Sequence, residues 1–148
     1  MLTPAHSSDL AALTTLFELS FANYAKHMGR KWPGPYPWLE AALERSEVWW
    51  IGDEAGAIVM HQDGTTLKID QIGIYPEHQG AGIGAKAMEA AEDYARSINC
   101  TEITLHTAQI MTHLVAFYSR AGYRVGHVGP HPKGRDDRLR VFMVKSLS

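Results

Sequence analysis

At 148 residues, with 45% hydrophobic and 20% charged residues, the chain has the size and balance of one soluble globular domain spanning 1–148. No apolar run approaches the length of a membrane helix, and the opening Met1-Leu2-Thr3-Pro4-Ala5-His6 lacks the basic-then-apolar order of a secretion signal. The lone Cys100 excludes an internal disulfide and a cysteine metal cage, so a cytoplasmic setting is expected, and the net charge of −2 argues against a dedicated nucleic-acid binder.

After a short first strand at residues 1–3 (β1), Ser7-Ser8-Asp9 offers helix-capping side chains. Leu10, Leu13, Leu16, Phe17, Phe21 and Tyr24 then recur at helical spacing and predict a helix to about residue 26 (α1). The proline-rich stretch from Gly29 to Pro37 cannot continue it, and a second, short helix is predicted over residues 38–45 (α2). Residues 48–51 (β2), 57–61 (β3) and 67–75 (β4) read as a three-strand meander with turns at Asp53-Glu54-Ala55-Gly56 and Asp63-Gly64. In the third strand the apolar parity changes, from Leu67 and Ile69 to Ile72 and Ile74, which a strict period of two cannot place on one face. This predicts a β-bulge near Asp70–Gln71, with burial of both faces as the competing explanation.

A helix from about residue 83 (α3) carries Ile83, Ala87, Ala90, Ala91, Tyr94 and Ile98 on one side. A strand at 102–106 (β5), a helix at 111–120 stopped by Gly122 (α4), and strands at 123–128 (β6) and 139–144 (β7) complete the chain. The order β1-α1-α2-β2-β3-β4-α3-β5-α4-β6-β7 describes an α/β fold, a mixed sheet with helices on both faces. Charge is uneven along it: residues 1–118 carry seven Lys/Arg and fourteen Asp/Glu, whereas 119–148 carry seven Lys/Arg and two Asp. The basic end is either a solvated hairpin or a contact for an anionic group of a ligand.

Between β4 and α3 lies Gln79-Gly80-Ala81-Gly82-Ile83-Gly84. Its glycines leave backbone N–H groups uncovered beside a helix N-terminus, a combination that attracts phosphate or pyrophosphate. The turn meets the relaxed G-x-G-x-x-G/A dinucleotide pattern, but Tyr75-Pro76-Glu77-His78-Gln79 intervenes after the strand and an antiparallel meander precedes it. A nucleotide P-loop is excluded because no G-K-[ST] follows, and a ligand-free glycine turn is the remaining alternative.

The block Gln79-x-x-Gly82-x-Gly84 with Gly80 resembles the acetyl-CoA-binding motif of the GCN5-related N-acetyltransferase (GNAT) superfamily, and Phe117-Tyr118-Ser119-Arg120-Ala121-Gly122-Tyr123 resembles that family's next motif. The resemblance implies the GNAT fold, with β4 and β5 splayed, and transfer of acetyl from acetyl-CoA directly to an amine of a small molecule or peptide. A catalytically silent acyl-CoA-binding module is the alternative. It also implies pyrophosphate on residues Gln79, Gly80, Ala81, Gly82, Ile83 and Gly84, and the pantetheine arm beside Ile72, Gly73 and Ile74, where a backbone N–H polarises the thioester carbonyl. Tyr118 matches the tyrosine that lies near the CoA sulfur and protonates the leaving thiolate, whereas many members carry an asparagine where this chain has Met111, leaving Thr107, Gln109 or Thr112 for that contact.

Freeing a lysine-like amine at pH 7 costs about 4–5 kcal/mol, so a base or a water wire is needed. Asp70, at the predicted bulge, is the first candidate, with His61, His106 and Glu77 behind it. Tyr24, His27, Trp32, Tyr36 and Trp38 are predicted to line an acceptor pocket suited to a cation. The eight histidines show no ligand spacing, so no metal is expected. Neither a membrane nor a nucleic acid is an expected partner, and a homodimer is compatible with the family.

Overall fold

The computed structural model describes residues 1–147, apart from the side chain of Asn23. Its strands are β1 (Leu2–Pro4), β2 (Val48–Ile51), β3 (Gly56–Asp63), β4 (Thr66–Ile74), β5 (Glu102–Ala108), β6 (Arg124–Gly129) and β7 (Arg140–Ser146). They form one mixed sheet in the order β1-β2-β3-β4-β5-β7-β6, with β4 and β5 as its parallel pair. The helices are α1 (Leu10–Met28), α2 (Pro37–Glu44), α3 (Ile83–Ser97) and α4 (Thr112–Arg120). The predicted order stands, with boundaries displaced by a few residues.

Two apolar layers sandwich the sheet. On one face Ala87, Met88, Ala91 and Ala95 of α3 and Tyr118 of α4 pack on Ile58, Met60, Leu67, Ile69, Ile103 and Leu105. The alanine-rich helix surface lets α3 lie close to the strands. The predicted stripe on α3 included Ala90 and omitted Met88, Glu92 and Ala95, which are buried. Glu92 is tolerated there because its carboxylate meets Lys145 Nζ at 2.6 Å, and the same ammonium donates to the Ala121 carbonyl at 2.8 Å. A Cβ on Gly122 would stand 3.1 Å from that lysine's side chain, so the residue that ends α4 at φ +99° also leaves the lysine its path.

On the other face Leu13, Leu16 and Phe17 of α1 and Leu39, Ala42 and Leu43 of α2 pack on Val48, Trp50, Ala57 and Val59. Asp9 does not cap α1 with its side chain; its carboxylate accepts the His6 backbone N–H at 2.9 Å and Trp50 Nε1–H at 3.3 Å. The carboxylate therefore ties the helix entry to β2. α1 approaches β4 closely where β4 has a glycine: a Cβ on Gly73 would lie 2.7 Å from Ser20 Oγ and 3.0 Å from the Phe17 ring. The two helices cover β2, β3 and part of β4, and leave the β5-β7-β6 part of that face without a helix.

The predicted bulge is present. Met60 pairs with Ile69 and Val59 with Gln71, so Asp70 is the extra residue on β4. Pairing between β4 and β5 runs through Thr66↔Glu102, Leu67↔Ile103 and Lys68↔Thr104, and stops just before that residue. Beyond it the two strands part. Gly56, opposite Ile74, has no room for a side chain, since a Cβ there would sit 2.4 Å from the Gly73 carbonyl oxygen. Gly56→Ala should therefore lower unfolding free energy by about 2 kcal/mol or more, a shift in urea midpoint at unchanged slope.

Candidate active site

The turn before α3 is a cradle of backbone donors. Gly80 and Gly82 have φ of +83° and +81°, and a Cβ on either would meet nothing within 4 Å, so the space above them is open. The N–H groups of His78 and Gln79 are used by the carbonyls of Tyr75 and Pro76, and the helical ladder resumes with Lys86 donating to Gly82. Among the described residues the N–H groups of Gly80, Ala81, Gly82, Ile83, Gly84 and Ala85 find no backbone acceptor. Six successive free donors at the positive end of a 15-residue helix are a strong site for a diphosphate. Gln79 contributes differently: its Nε2 donates to the Ile74 carbonyl at 3.0 Å and anchors the turn to the end of β4. Gly84 lets α4 approach, with 3.4 Å between its Cβ position and Phe117.

Antiparallel alternation fixes which backbone groups face the split. Tyr75 N–H donates to Ala55, so Gly73 also bonds into β3 while Ile72 and Ile74 turn their N–H groups away from it, toward the gap. Tyr118 lies in the apolar layer under this region, 7% exposed, with its ring against Phe117 and Tyr123. Burial pushes its hydroxyl up to about 12, so it keeps its proton throughout the neutral range. Met111 is buried in an apolar contact with Met28 and Ala108; Thr112 and Gln109 are exposed and Thr107 is buried.

On the opposite face the uncovered part of the sheet forms the floor of a cavity of about 1100 Å³. Asp70 and Gln71 of β4 and Leu105 and His106 of β5 line it where the strands have parted; α2 supplies Trp38, the residue that ends it Arg45, and the β6–β7 loop His131, Lys133 and Arg135. Asp70 is held above the ordinary carboxylate range, chiefly by loss of hydration and also by the Glu47 charge, against the opposing pull of His61 and Lys133. His61 faces the same space, its Nδ1 2.6 Å from Glu47. His106 packs between Phe142 and His131, and its Nδ1 is buried without a partner. Burial first, then the charges of His131, Arg140 and Arg135, bring it down to about 4, so it is neutral at pH 7.

The other sequence-predicted acceptor residues lie elsewhere. Tyr36 is in the core against Phe21 and Trp38, its hydroxyl donating to the Trp32 carbonyl. Tyr24 packs on Trp32 beside Met28, and His27 is exposed 5.9 Å from His113. Of these, Trp32 borders a smaller cavity of about 570 Å³ under α1, and none lines the large one. Glu77 sits in an exposed turn after β4. Residues that the sequence left unassigned, Arg124, His127, His131, Lys133 and Arg135, do line the large cavity; the signal for them was the basic C-terminal segment. No group of three or more His, Cys, Asp or Glu side chains able to hold a metal occurs among the described residues, and no helix among them is long and apolar enough to cross a membrane.

The chain thus combines a split mixed sheet, a row of free backbone donors ahead of α3 and an open cavity on the opposite face. The sequence matches the acetyltransferase (GNAT) family over residues 11–123, and the chain belongs to that family. It is 28% identical over 92 residues to an IAA acetyltransferase of Azospirillum brasilense, a match covering 62% of this chain and 59% of that relative. The match thus spans about three-fifths of the curated relative's length. The fold is similar to that of PaiA N-acetyltransferase from Thermoplasma acidophilum in complex with coenzyme A, with TM-score 0.77 and 14% identity over 99% of this chain and 98% of that one. A spermidine N-acetyltransferase chimera from Vibrio cholerae and hSSAT gives TM-score 0.76 at 20% identity over 99% and 96% of the two chains.

The depressed imidazole has a measurable consequence. Between pH 6.5, where the unfolded chain protonates His106, and about 4, where the folded chain does, the unfolded state binds more protons. Acidification through that window should destabilise the fold, with His106 contributing about 2–3 kcal/mol. His131 is depressed in the same direction, so His106→Gln should reduce, without abolishing, the stability difference between pH 7 and pH 4.5 in urea titrations.

Proposed function

We propose that this chain transfers an acetyl group from acetyl-CoA directly to an amine. The observation that carries the reading is the run of six free backbone donors from Gly80 to Ala85, open above two left-handed glycines and adjoining the split of the sheet. The residues present fit the proposed cosubstrate: N–H groups of the cradle hold its diphosphate, and Ile72 and Ile74 offer main-chain donors along the gap. Bound there, acetyl-CoA supplies an activated acetyl thioester.

The chain's own groups have separable roles. A main-chain N–H at Ile72 or Ile74 polarises the thioester carbonyl. Asp70, where the cavity meets the split, takes a proton from the incoming ammonium; its raised pKa makes the carboxylate a better match to that task. Tyr118 Oη gives a proton to the departing thiolate, which its high pKa allows at any neutral pH. Thr112, at the exposed start of α4, is a further contact for the cosubstrate, and Trp38 a wall of the acceptor site. Trp32 borders the smaller cavity; Tyr24 and Tyr36 act behind the site by holding the α1–α2 connection in place, and His27 stands against His113 of α4. His61 is a second relay for the amine proton, through its contact to Glu47.

Calorimetry with acetyl-CoA, NADH and ATP tests the reading. Acetyl-CoA should bind and the nucleotides should not; Gly82→Glu, which puts a negative charge into the cradle, should weaken binding at least tenfold. Binding of NADH or ATP in place of acetyl-CoA overturns it. Tyr118→Phe should lower kcat by about 10–100-fold with acetyl-CoA affinity unchanged. In the wild type the rate should fall as pH drops through the raised Asp70 pKa, and Asp70→Asn should show a low rate without that acid limb, read from pH–rate profiles of thiol release.

A further inference from the structure

The large cavity carries more positive than negative charge. Its lining cations are Arg45, Lys68, Arg124, Lys133 and Arg135, against the carboxylates of Asp70 and Glu102. Arg45 is neutralised by Glu47 at 2.6 Å and Lys68 by Asp63 at 3.0 Å, and Glu102 accepts from the Thr66 hydroxyl at 2.9 Å. Among the described residues, the side chains of Arg124, Lys133 and Arg135 make no hydrogen bond or ion pair.

Two of these free cations stand on a loop that is held in place. Arg140, 4% exposed, grips both oxygens of Asp136 at 3.1 and 2.8 Å, which consumes the carboxylate that follows Arg135 in the chain. Arg30 Nη1 donates to the Arg135 carbonyl at 3.1 Å and ties the loop to the end of α1. The Lys133 N–H donates to His131 Nδ1 at 3.0 Å, and Gln109 N–H to the Leu139 carbonyl at 2.9 Å. The charges are thus displayed by a fixed frame, and Asp136, the carboxylate next to Arg135, is already spent, while Asp137 beyond it is exposed. Their field reaches the cavity's inner groups: Lys133 acts on Asp70, and Arg135 on both His106 and His131.

We propose that the acceptor carries an anionic group, a carboxylate or a phosphate, beside its amine, and that Lys133 and Arg135 hold that group while the amine faces Asp70. The inference rests on the acetyl-transfer reading above. A guanidinium and an ammonium on one loop match an oxyanion by charge-assisted hydrogen bonds. Arg124, on β6, adds to the potential that draws the anion in. The same charge distribution disfavours a polycation, which would place several ammonium groups against unpaired Lys and Arg. The basic C-terminal segment is therefore the specificity element of the acceptor site, and Asp70 is the point where the acceptor's positive end is received.

Matched probes test this on the CoA-saturated protein: leucine against leucinamide, phosphoethanolamine against ethanolamine, with spermidine as the polycationic control. Each is titrated by calorimetry and offered as acceptor with thiol release from acetyl-CoA as readout. At least one anionic probe should bind tenfold or more tightly than its uncharged partner, and the preference should shrink as salt rises. Leucine ahead identifies a carboxylate, phosphoethanolamine ahead a phosphate. Lys133→Ala combined with Arg135→Ala, both exposed positions, should erase the preference with CoA affinity intact, and Arg135→Lys should retain part of it. Equal binding of the matched partners, tighter binding of spermidine, or no binding of either anionic probe overturns the proposal. Failure to bind CoA with the anionic preference intact sinks the acetyl-transfer reading alone; CoA binding without that preference sinks this one alone.

Discussion

The separation of β4 from β5 is the constraint on which the site depends. The two strands share three residue pairs, and the inserted Asp70 then turns β4 away from its neighbour. A sheet interior offers no free hydrogen-bonding groups, because each strand satisfies the next. Parting the strands leaves main-chain donors at Ile72 and Ile74 facing the gap between them. Tyr118 packs on one face of the sheet, and the large cavity lies on the other. Had β4 continued in register, the two halves of the site would be separated by a closed sheet.

The helices complete the arrangement through unequal coverage. α3 and α4 seal their face with an alanine-rich contact and an ion pair between the buried Glu92 and the half-buried Lys145. Such a pair contributes little net stability but is costly to break, which suits a contact that fixes where α4 ends. On the opposite face α1 and α2 pack over β2 and β3 and stop. The remaining floor is covered by the β6–β7 loop, whose own charge network determines which groups look inward.

Within that cavity, burial and the cations oppose each other at Asp70 and reinforce each other at His106. Loss of hydration raises Asp70 and lowers His106, which in both cases favours the neutral form. The cations then pull Asp70 back toward ionisation and push His106 further from it. A carboxylate that can accept a proton and an imidazole that stays uncharged thus line one cavity, each set first by burial and then by the cations. Tyr118, shielded from those charges, is raised by burial alone and remains a donor.

The order of elements, the glycine turn and the bulge were all legible in the sequence, because each has a local cause. Apolar periodicity follows from helix and strand geometry, glycines mark backbone that side chains would block, and a change of parity in one strand leaves few alternatives to an inserted residue. The aromatic residues around α1 were legible as apolar but not as to place: Tyr36 packs into the core, and Tyr24 and Trp32 pack on each other. Aromatic rings serve cores and binding sites equally well, and only packing distinguishes the two. Likewise the basic character of the C-terminal segment was plain from composition, but which of its charges are spent was decided by tertiary contacts. Arg140 and Asp136 cancel each other four residues apart, while Lys133 and Arg135 remain available because the fold brings no carboxylate into contact with them. The sequence by itself determined the local architecture of the cradle and the split; the cavity and the sign of its field come from strands and loops distant in the chain, whose meeting no short-range pattern records.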